Sequence, residues 1–261
     1  MTELSEIRNL VIDMDGVLYR GNEPLPRLPD FIRFLRDRGI GFVMATNNSG
    51  STPEQYASKL GKMGATVEPH EIMTSGTATA AWLAARYGRG TRVHVFGEDS
   101  LRDAMAKAGF TVVDDGAEVV AASIDWGVTY DKIKRAAVQI RRGAAFVATN
   151  LDPTRPTEEG LVPGTGALIA AIEVGSGVKP IAIGKPEPAM FEMAMQQMGA
   201  TPECTATLGD RIDTDMDGGR RAGLRTILVL SGSTSRPEAE AYGPDFLFED
   251  IADLLAHWEQ C

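Results

Sequence analysis

The stretch Leu10-Val11-Ile12-Asp13-Met14-Asp15-Gly16-Val17-Leu18-Tyr19 decides how the rest of the chain is read. Leu10–Met14 reads as a buried strand entering the turn Asp15-Gly16, with Gly16 permitting the sharp turn and two carboxylates, Asp13 and Asp15, standing two residues apart as the chain leaves it. An Asx turn closing a strand accounts for Asp15. Asp13 resists that account, because Ile12 and Met14 bracket it in backbone that should be buried, and an isolated buried carboxylate is costly. In an open parallel α/β sheet, ligands bind beyond the carboxyl ends of the strands, so a polar residue in that position is a candidate for a site.

Outward from this strand, apolar runs of strand length alternate with helical patterns, the mark of βαβ units. Phe31, Phe34 and Leu35 give one face of a helix that stops at Gly39, and Gly41–Thr46 follows as a second strand. Thr52, Pro53 and Gln55 open a further helix that ends at Gly64. The pattern restarts with strands at Val93–Phe96, Val119–Ile124 and Ala145–Thr149, separated by helices at Asp99–Ala108 and Asp131–Arg141. A helix at Thr165–Val174, a strand at Ile181–Gly184 and a helix facing inward through Met190, Phe191, Ala194, Met195 and Met198 come next. Thr205–Leu208, a helix around Asp215–Ala222 and Thr226–Leu230 complete the series.

Three more strand ends carry unusual chemistry. Thr46-Asn47-Asn48-Ser49 offers hydroxyl, amide and backbone donors suited to an anion's oxygens. Gly184-Lys185-Pro186 fixes a lysine directly after a strand; it lacks the glycine and the Ser or Thr of a phosphate-binding loop, yet a rigidly held lysine beside carboxylates is a good phosphoryl clamp. In Gly209-Asp210-Arg211-Ile212-Asp213-Thr214-Asp215, Asp210 ends a strand and Asp215 falls in the first turn of the next helix, where negative charge is favoured. The run through Gly218 opens like a calcium loop, but position twelve is Leu224, so that reading fails. Asp213 and Asp217 read as helix-start or solvent-facing residues.

Gathered in one crevice, Asp13, Asp15, Asp210 and Asp215 would repel one another. Two unit charges 4 Å apart cost about 4 kcal/mol at an effective dielectric near 20, so such a cluster needs a cation. Oxygen ligands beside a phosphate favour Mg²⁺. Composition narrows the alternatives. The 261 residues hold 36 acidic against 26 Lys plus Arg, a net charge of −10, which speaks against nucleic acid as the partner. No apolar run approaches the ~18–20 residues of a membrane span, and Met1–Asn9 carries no hydrophobic leader, so the expectation is a cytoplasmic chain without a membrane partner. Cys204 and Cys261 cannot build a disulfide framework, and His70, His94 and His257 are too scattered for a zinc site. Carboxylates are left to do the chemistry.

The motifs Asp13-x-Asp15-Gly16-Val17-Leu18, Thr46-Asn47-Asn48, Gly184-Lys185-Pro186 and Gly209-Asp210 followed by Thr214-Asp215, in this order, resemble the haloacid dehalogenase (HAD) phosphatase superfamily. Within it the chain is similar to the class IIA, NagD-like or p-nitrophenylphosphatase-like members; Pro163-Gly164-Thr165-Gly166 and Ala222–Leu230 extend the likeness over nearly the whole length. The resemblance implies a Rossmann-like parallel-sheet α/β core, residues 1–79 and 180–261, interrupted by an α/β cap domain at 80–179. It implies Asp13 as the nucleophile that forms an aspartyl-phosphate and Asp15 as general acid, then base. Thr46 and Asn47, with Asn48 beside them, would bind the phosphoryl group, and Lys185 would neutralise its charge. Asp13, the Asp15 backbone carbonyl and Asp210 would ligate Mg²⁺, with Asp215 orienting Lys185 or metal-bound water. The cap would close over the crevice and limit access to small phosphorylated metabolites. Arg155, in the loop Asn150–Pro156, either reads an anionic group of the substrate or is a solvent-exposed arginine. A homodimer through the cap is also implied. Two other outcomes stay open at this point: a phosphomutase or phosphotransferase using the same aspartyl-phosphate, and a non-catalytic metabolite sensor, against which the intact Asp13, Asp15, Lys185 and Asp210 argue.

Overall fold

The computed structural model describes residues 3–157 and 160–260; Cys261 lies outside the described residues. The chain divides into two compact units, one made of 1–46, 53–73 and 185–261, the other of 47–52 and 74–184.

In the first unit a six-stranded sheet runs Phe246–Phe248, Arg225–Val229, Thr205–Gly209, Asn9–Ile12, Gly41–Thr46, Ile72–Thr74. Asn9–Ile12 is central and pairs in parallel with both neighbours, Asn9 opposite Thr205 on one side and Gly41 on the other. A parallel strand covered on both faces needs a continuous apolar run, and Leu10, Val11 and Ile12 are at most 1% exposed. Each such side chain stabilises the fold by about 1.5–3 kcal/mol on burial. The helix Leu28–Asp37 buries Phe31, Ile32 and Leu35, spaced to share one face, and stops just before Gly39. The helix Pro188–Met198 buries Met190, Phe191, Ala194 and Met195, while Met198 is only partly buried.

The second unit holds a five-stranded parallel sheet in the order Ile181–Ala182, Ala145–Ala148, Val119–Ala122, Arg92–Phe96, Thr111–Val112. Phe96, Val120, Ile140, Phe146, Ile169 and Ile172 belong to its core, with Ile140, Ile169 and Ile172 supplied by the packed helices Tyr130–Arg141 and Thr165–Ser176. Both units are therefore α/β.

The unit boundaries differ from 79/80 and 179/180 for two reasons. Helix Ser75–Ala84 is opened by a capping box on Thr74, whose Oγ1 accepts from the Thr77 N–H at 3.1 Å, so a break at residue 79 would cut a continuous helix. Ile181–Ala182 pairs with Val147–Ala148, which carries the second unit's sheet past residue 180. Two further elements depart from the sequence reading. Thr154–Thr157 pairs antiparallel with Gly160–Pro163 where a loop was expected. Asp215 lies in a π-helical turn, Ile212–Met216, ahead of the α-helix Asp217–Arg221. Among the described residues no helix is long and apolar enough to cross a membrane.

Candidate active site

Topology places the first unit's polar residues. Asn9–Ile12, Thr205–Gly209 and Gly41–Thr46 are adjacent parallel strands, so Asp13, Asp210 and Thr46 come out at the same edge, the carboxyl end of the sheet. The Asp13 N–H still donates to the Leu208 carbonyl at 2.8 Å, which pins the residue at the strand's last rung. Thr46 is the last residue of its strand and 7% exposed.

Lys185 ties the centre together. Its Nζ lies 2.5 Å from Asp13 Oδ1 and 2.6 Å from Asp215 Oδ1, and its side chain is 4% exposed. Burial alone would depress the lysine, but the two carboxylates outweigh it and hold the ammonium well above the ordinary lysine value. Burial pushes the Asp13 carboxyl up to about 8, helped by Asp215 and Asp210 and opposed by Lys185. Asp210 is pushed up to about 6, first by burial and then by the Asp215 charge, against the Ser233 N–H that favours its ionised form.

One ligand oxygen each from Asp13, Asp210 and Asp215 lies within 4.8 Å of the others, and among the described residues this is the group of acidic, His or Cys side chains gathered closely enough to hold a metal. The roles of the three differ. Both oxygens of Asp215 are engaged, Oδ1 by Lys185 and Oδ2 by the Arg211 N–H at 3.1 Å. Asp210 takes the Ser233 N–H on Oδ2 at 2.7 Å, while its Oδ1 is buried with no hydrogen-bond partner. Leaving such an oxygen unsatisfied costs ~1–3 kcal/mol or more. An all-oxygen donor set with an open carboxylate oxygen fits a hard divalent cation.

Asp15 stands apart from this cluster. Its side chain is exposed, and its backbone turns sharply at Gly16, whose φ of +89° and close approach to Asp210 exclude any side chain there. Asp213 is exposed and pairs with Arg211, and Asp217 accepts from the Tyr242 hydroxyl at 3.0 Å, so neither joins the centre.

In the second unit, Asn47 Nδ2 lies 3.2 and 3.1 Å from the two oxygens of Asp152. Asn48 is exposed and its Oδ1 accepts from the Gly50 N–H at 2.9 Å, an Asx turn. Arg155 is half-buried, its guanidinium 4.7 Å from the centroid of the Trp126 ring, while Trp126 itself stays 55% exposed. The arginine is thus packed against a ring rather than free in solvent. The glycines of Pro163-Gly164-Thr165-Gly166 have a packing cause: a Cβ on Gly164 would lie 2.4 Å from the Asp152 carbonyl oxygen, and one on Gly166 2.3 Å from that of Leu151.

Asp152, Trp126 and the Ser231–Thr234 segment escape the sequence reading. For the last of these a signal existed, since Ser231-Gly232-Ser233-Thr234 is a small polar cluster just past a strand, the same pattern that picks out Thr46–Ser49.

Two family models match the chain, haloacid dehalogenase-like hydrolase over residues 10–111 and HAD-hydrolase-like over 182–254. The 5'-nucleotidase YutF of Bacillus subtilis is 38% identical over 229 residues, covering 88% of this chain and 89% of that protein. The acid sugar phosphatase of Staphylococcus saprophyticus is 35% identical over 96% of this chain and 97% of its own. Among solved structures, 4-nitrophenylphosphatase from Thermotoga maritima superposes with a TM-score of 0.92 at 34% identity, covering 97% of this chain and 98% of its own.

A parallel sheet with carboxylates and a lysine converging at its carboxyl edge, and these matches, make the chain a member of the haloacid dehalogenase superfamily. Its place there is with the NagD-like phosphatases, and it is a phosphoric monoester hydrolase.

Proposed function

We propose that the enzyme hydrolyses phosphate monoesters of small metabolites with Mg²⁺ and through an aspartyl-phosphate on Asp13. The observation that carries this reading is the Lys185 ammonium shared by Asp13 and Asp215 beside the unpartnered Oδ1 of Asp210. A carboxylate oxygen of Asp13 attacks phosphorus while the bond to the leaving oxygen breaks, and Asp15 passes its proton to that oxygen. Water then attacks phosphorus and gives a proton to Asp15; the bond to Asp13 breaks, and inorganic phosphate leaves. Lys185, Thr46 and Asn47 hold the phosphoryl oxygens, and Asp215 keeps Lys185 aimed. Asp13, the Asp15 carbonyl and Asp210 would hold Mg²⁺, which when bound offsets the negative charge shared by phosphate and carboxylates. The exposure of Asp15 supports its role, since an acid that must also collect a proton from water needs access to it.

The test is phosphate release from p-nitrophenyl phosphate with Mg²⁺ and with chelator. Turnover falls to background in chelator and returns with added Mg²⁺; undiminished turnover in chelator would overturn the metal role. Asp15→Asn lowers kcat on an alkyl phosphate about 10²–10⁴-fold, the range for a general acid–base group. With p-nitrophenyl phosphate, whose leaving group needs no proton, the same variant gives a burst of nitrophenol and then slow release, because the second step still lacks its base. A steady rate without a burst would remove Asp15 from that step.

Substrates of this class are sugar phosphates, phosphoglycolate or glycerol phosphate, nucleoside monophosphates and pyridoxal phosphate. The names of the relatives, a nucleotidase and a sugar phosphatase, support the breadth of that range. Arg155, stacked on an exposed Trp126, is the proposed reader of an anionic group on the substrate. Arg155→Ala then changes the ratio of kcat/KM between anionic and neutral phosphorylated metabolites by about tenfold, with p-nitrophenyl phosphate hydrolysis less affected. Equal losses across the panel would reduce Arg155 to a structural role.

A further inference from the structure

The segment after the strand Arg225–Val229 takes no part in this chemistry, yet it touches both carboxylate-bearing strand ends. Ser231 is 5% exposed, and its Oγ donates to the Gly16 carbonyl at 2.7 Å. Its own carbonyl accepts from Arg20 Nε at 2.5 Å. Two residues on, the Ser233 N–H holds Asp210 Oδ2 at 2.7 Å and the Thr234 N–H holds the Asp210 backbone carbonyl at 3.2 Å. Between them Gly232 lies so close that an added Cβ would stand 1.9 Å from Asp210 Oδ2. The circuit closes through Gly16, where a Cβ would come within 2.8 Å of the same carboxylate.

We propose that Ser231 is a positioning residue for the cation site. Together with Arg20 it locks the Asp15–Gly16 turn to the segment that aims Asp210. The inference rests on the reading that Asp13, the Asp15 carbonyl and Asp210 hold the divalent ion. Asp15 and Asp210 sit on two different strand ends, and the sheet's hydrogen bonds stop before either of them, with Ile12 opposite Leu208 as the last paired residues. Beyond that rung their separation is set by the loops alone. Ser231 spans the gap: its hydroxyl fixes one loop, and the peptides that follow it fix the other. Gly232 leaves room for this, because any side chain there would push the carboxylate away. Mg²⁺ tolerates little departure from octahedral geometry, so a shift of one ligand against another is read directly as affinity.

The test measures binding of Mn²⁺ alone, without substrate, by calorimetry on the full chain. Ser231→Ala weakens binding about 10–100-fold, the effect typical of losing an outer hydrogen bond to a metal ligand's support. Ser231→Thr, which keeps the hydroxyl, restores affinity to within about threefold of wild type. Thermal unfolding in chelator moves little between the two variants, which separates positioning from a general loss of structure. Arg20→Met supplies an independent sign. Removing a positive charge by itself tightens cation binding, whereas loosening the clamp weakens it, and weaker binding is expected. The proposal is overturned if Ser231→Ala binds within about twofold of wild type, or if Arg20→Met binds more tightly. Should Ser231→Ala fail to fold, the sign of the Arg20→Met effect decides alone. Asp210→Asn tells the two readings apart. If it abolishes binding while Ser231→Ala does not disturb it, only the clamp falls; if wild type binds no Mn²⁺, the cation site falls and the clamp with it.

Discussion

Asp13→Asn is expected to lower phosphate release from p-nitrophenyl phosphate by roughly four orders of magnitude or more, the scale of loss when a covalent nucleophile is removed. The amide has the shape of the carboxylate but no oxygen able to form the acyl phosphate. The fold should survive the change, because Lys185 keeps Asp215 as a partner and the variant no longer carries a carboxylate whose ionised form burial disfavours. A melting temperature near that of wild type in chelator therefore accompanies the lost activity. Intact-mass measurement after brief exposure to substrate completes the test: wild type gains one phosphoryl group, the variant none. Turnover within about tenfold of wild type would mean that some other group attacks phosphorus.

Lys185→Met should damage both activity and stability. Methionine matches the length and apolar stem of lysine but leaves Asp13 and Asp215 facing each other without a cation. Breaking a buried pair from one side costs about 3–5 kcal/mol. Asp13, already pushed up to about 8, relieves part of that cost by keeping its proton, and a protonated Asp13 is no nucleophile. Activity therefore falls about 10²–10³-fold or more from lost stabilisation of the phosphoryl group. Chemical denaturation in chelator reads the stability, and kcat with saturating Mg²⁺ reads the chemistry. Added Mg²⁺ should recover part of the stability, since the ion supplies positive charge to the same carboxylates. A variant as stable as wild type without metal would show that the lysine's burial costs as much as its pairing returns.

Much of the candidate site is legible in the sequence because Asp13, Thr46 and Asp210 each stand where an apolar run stops, and in a parallel sheet those stops share an edge; Lys185 follows a strand of the other sheet, and its ion pairs with Asp13 and Asp215 bring it to the cluster. What escapes is of another kind. Helix Ser75–Ala84 is built of Ser, Gly, Thr and Ala with Trp82 and Leu83, and its buried Ser75, Gly76, Ala78 and Thr79 give no contrast between apolar and polar faces. An expected domain boundary consequently ran through it. Ile181–Ala182 is a two-residue strand, too short to show alternation. Asp215, expected in the first turn of the helix, lies in a π-helical turn ahead of it, which points one carboxylate oxygen at Lys185 and the other at the Arg211 N–H. The hydrogen bonds of Ser231 to Gly16 and Arg20 reach more than 200 residues back in sequence, a distance that local pattern does not register.

The ion pair between Asp13 and Lys185 joins residues 172 apart, and that separation orders events during synthesis. A growing chain that has reached Gly184 already contains every strand of the second unit. The first unit cannot follow. Its central strand Asn9–Ile12 still lacks the neighbour Thr205–Gly209, and Asp13 still lacks its lysine. An open strand edge must wait for the last third of the sequence, exposed to wrong partners meanwhile. The strands of the inserted unit are thus all synthesised before the first unit's central strand can gain its neighbour Thr205–Gly209 and before Asp13 can meet Lys185.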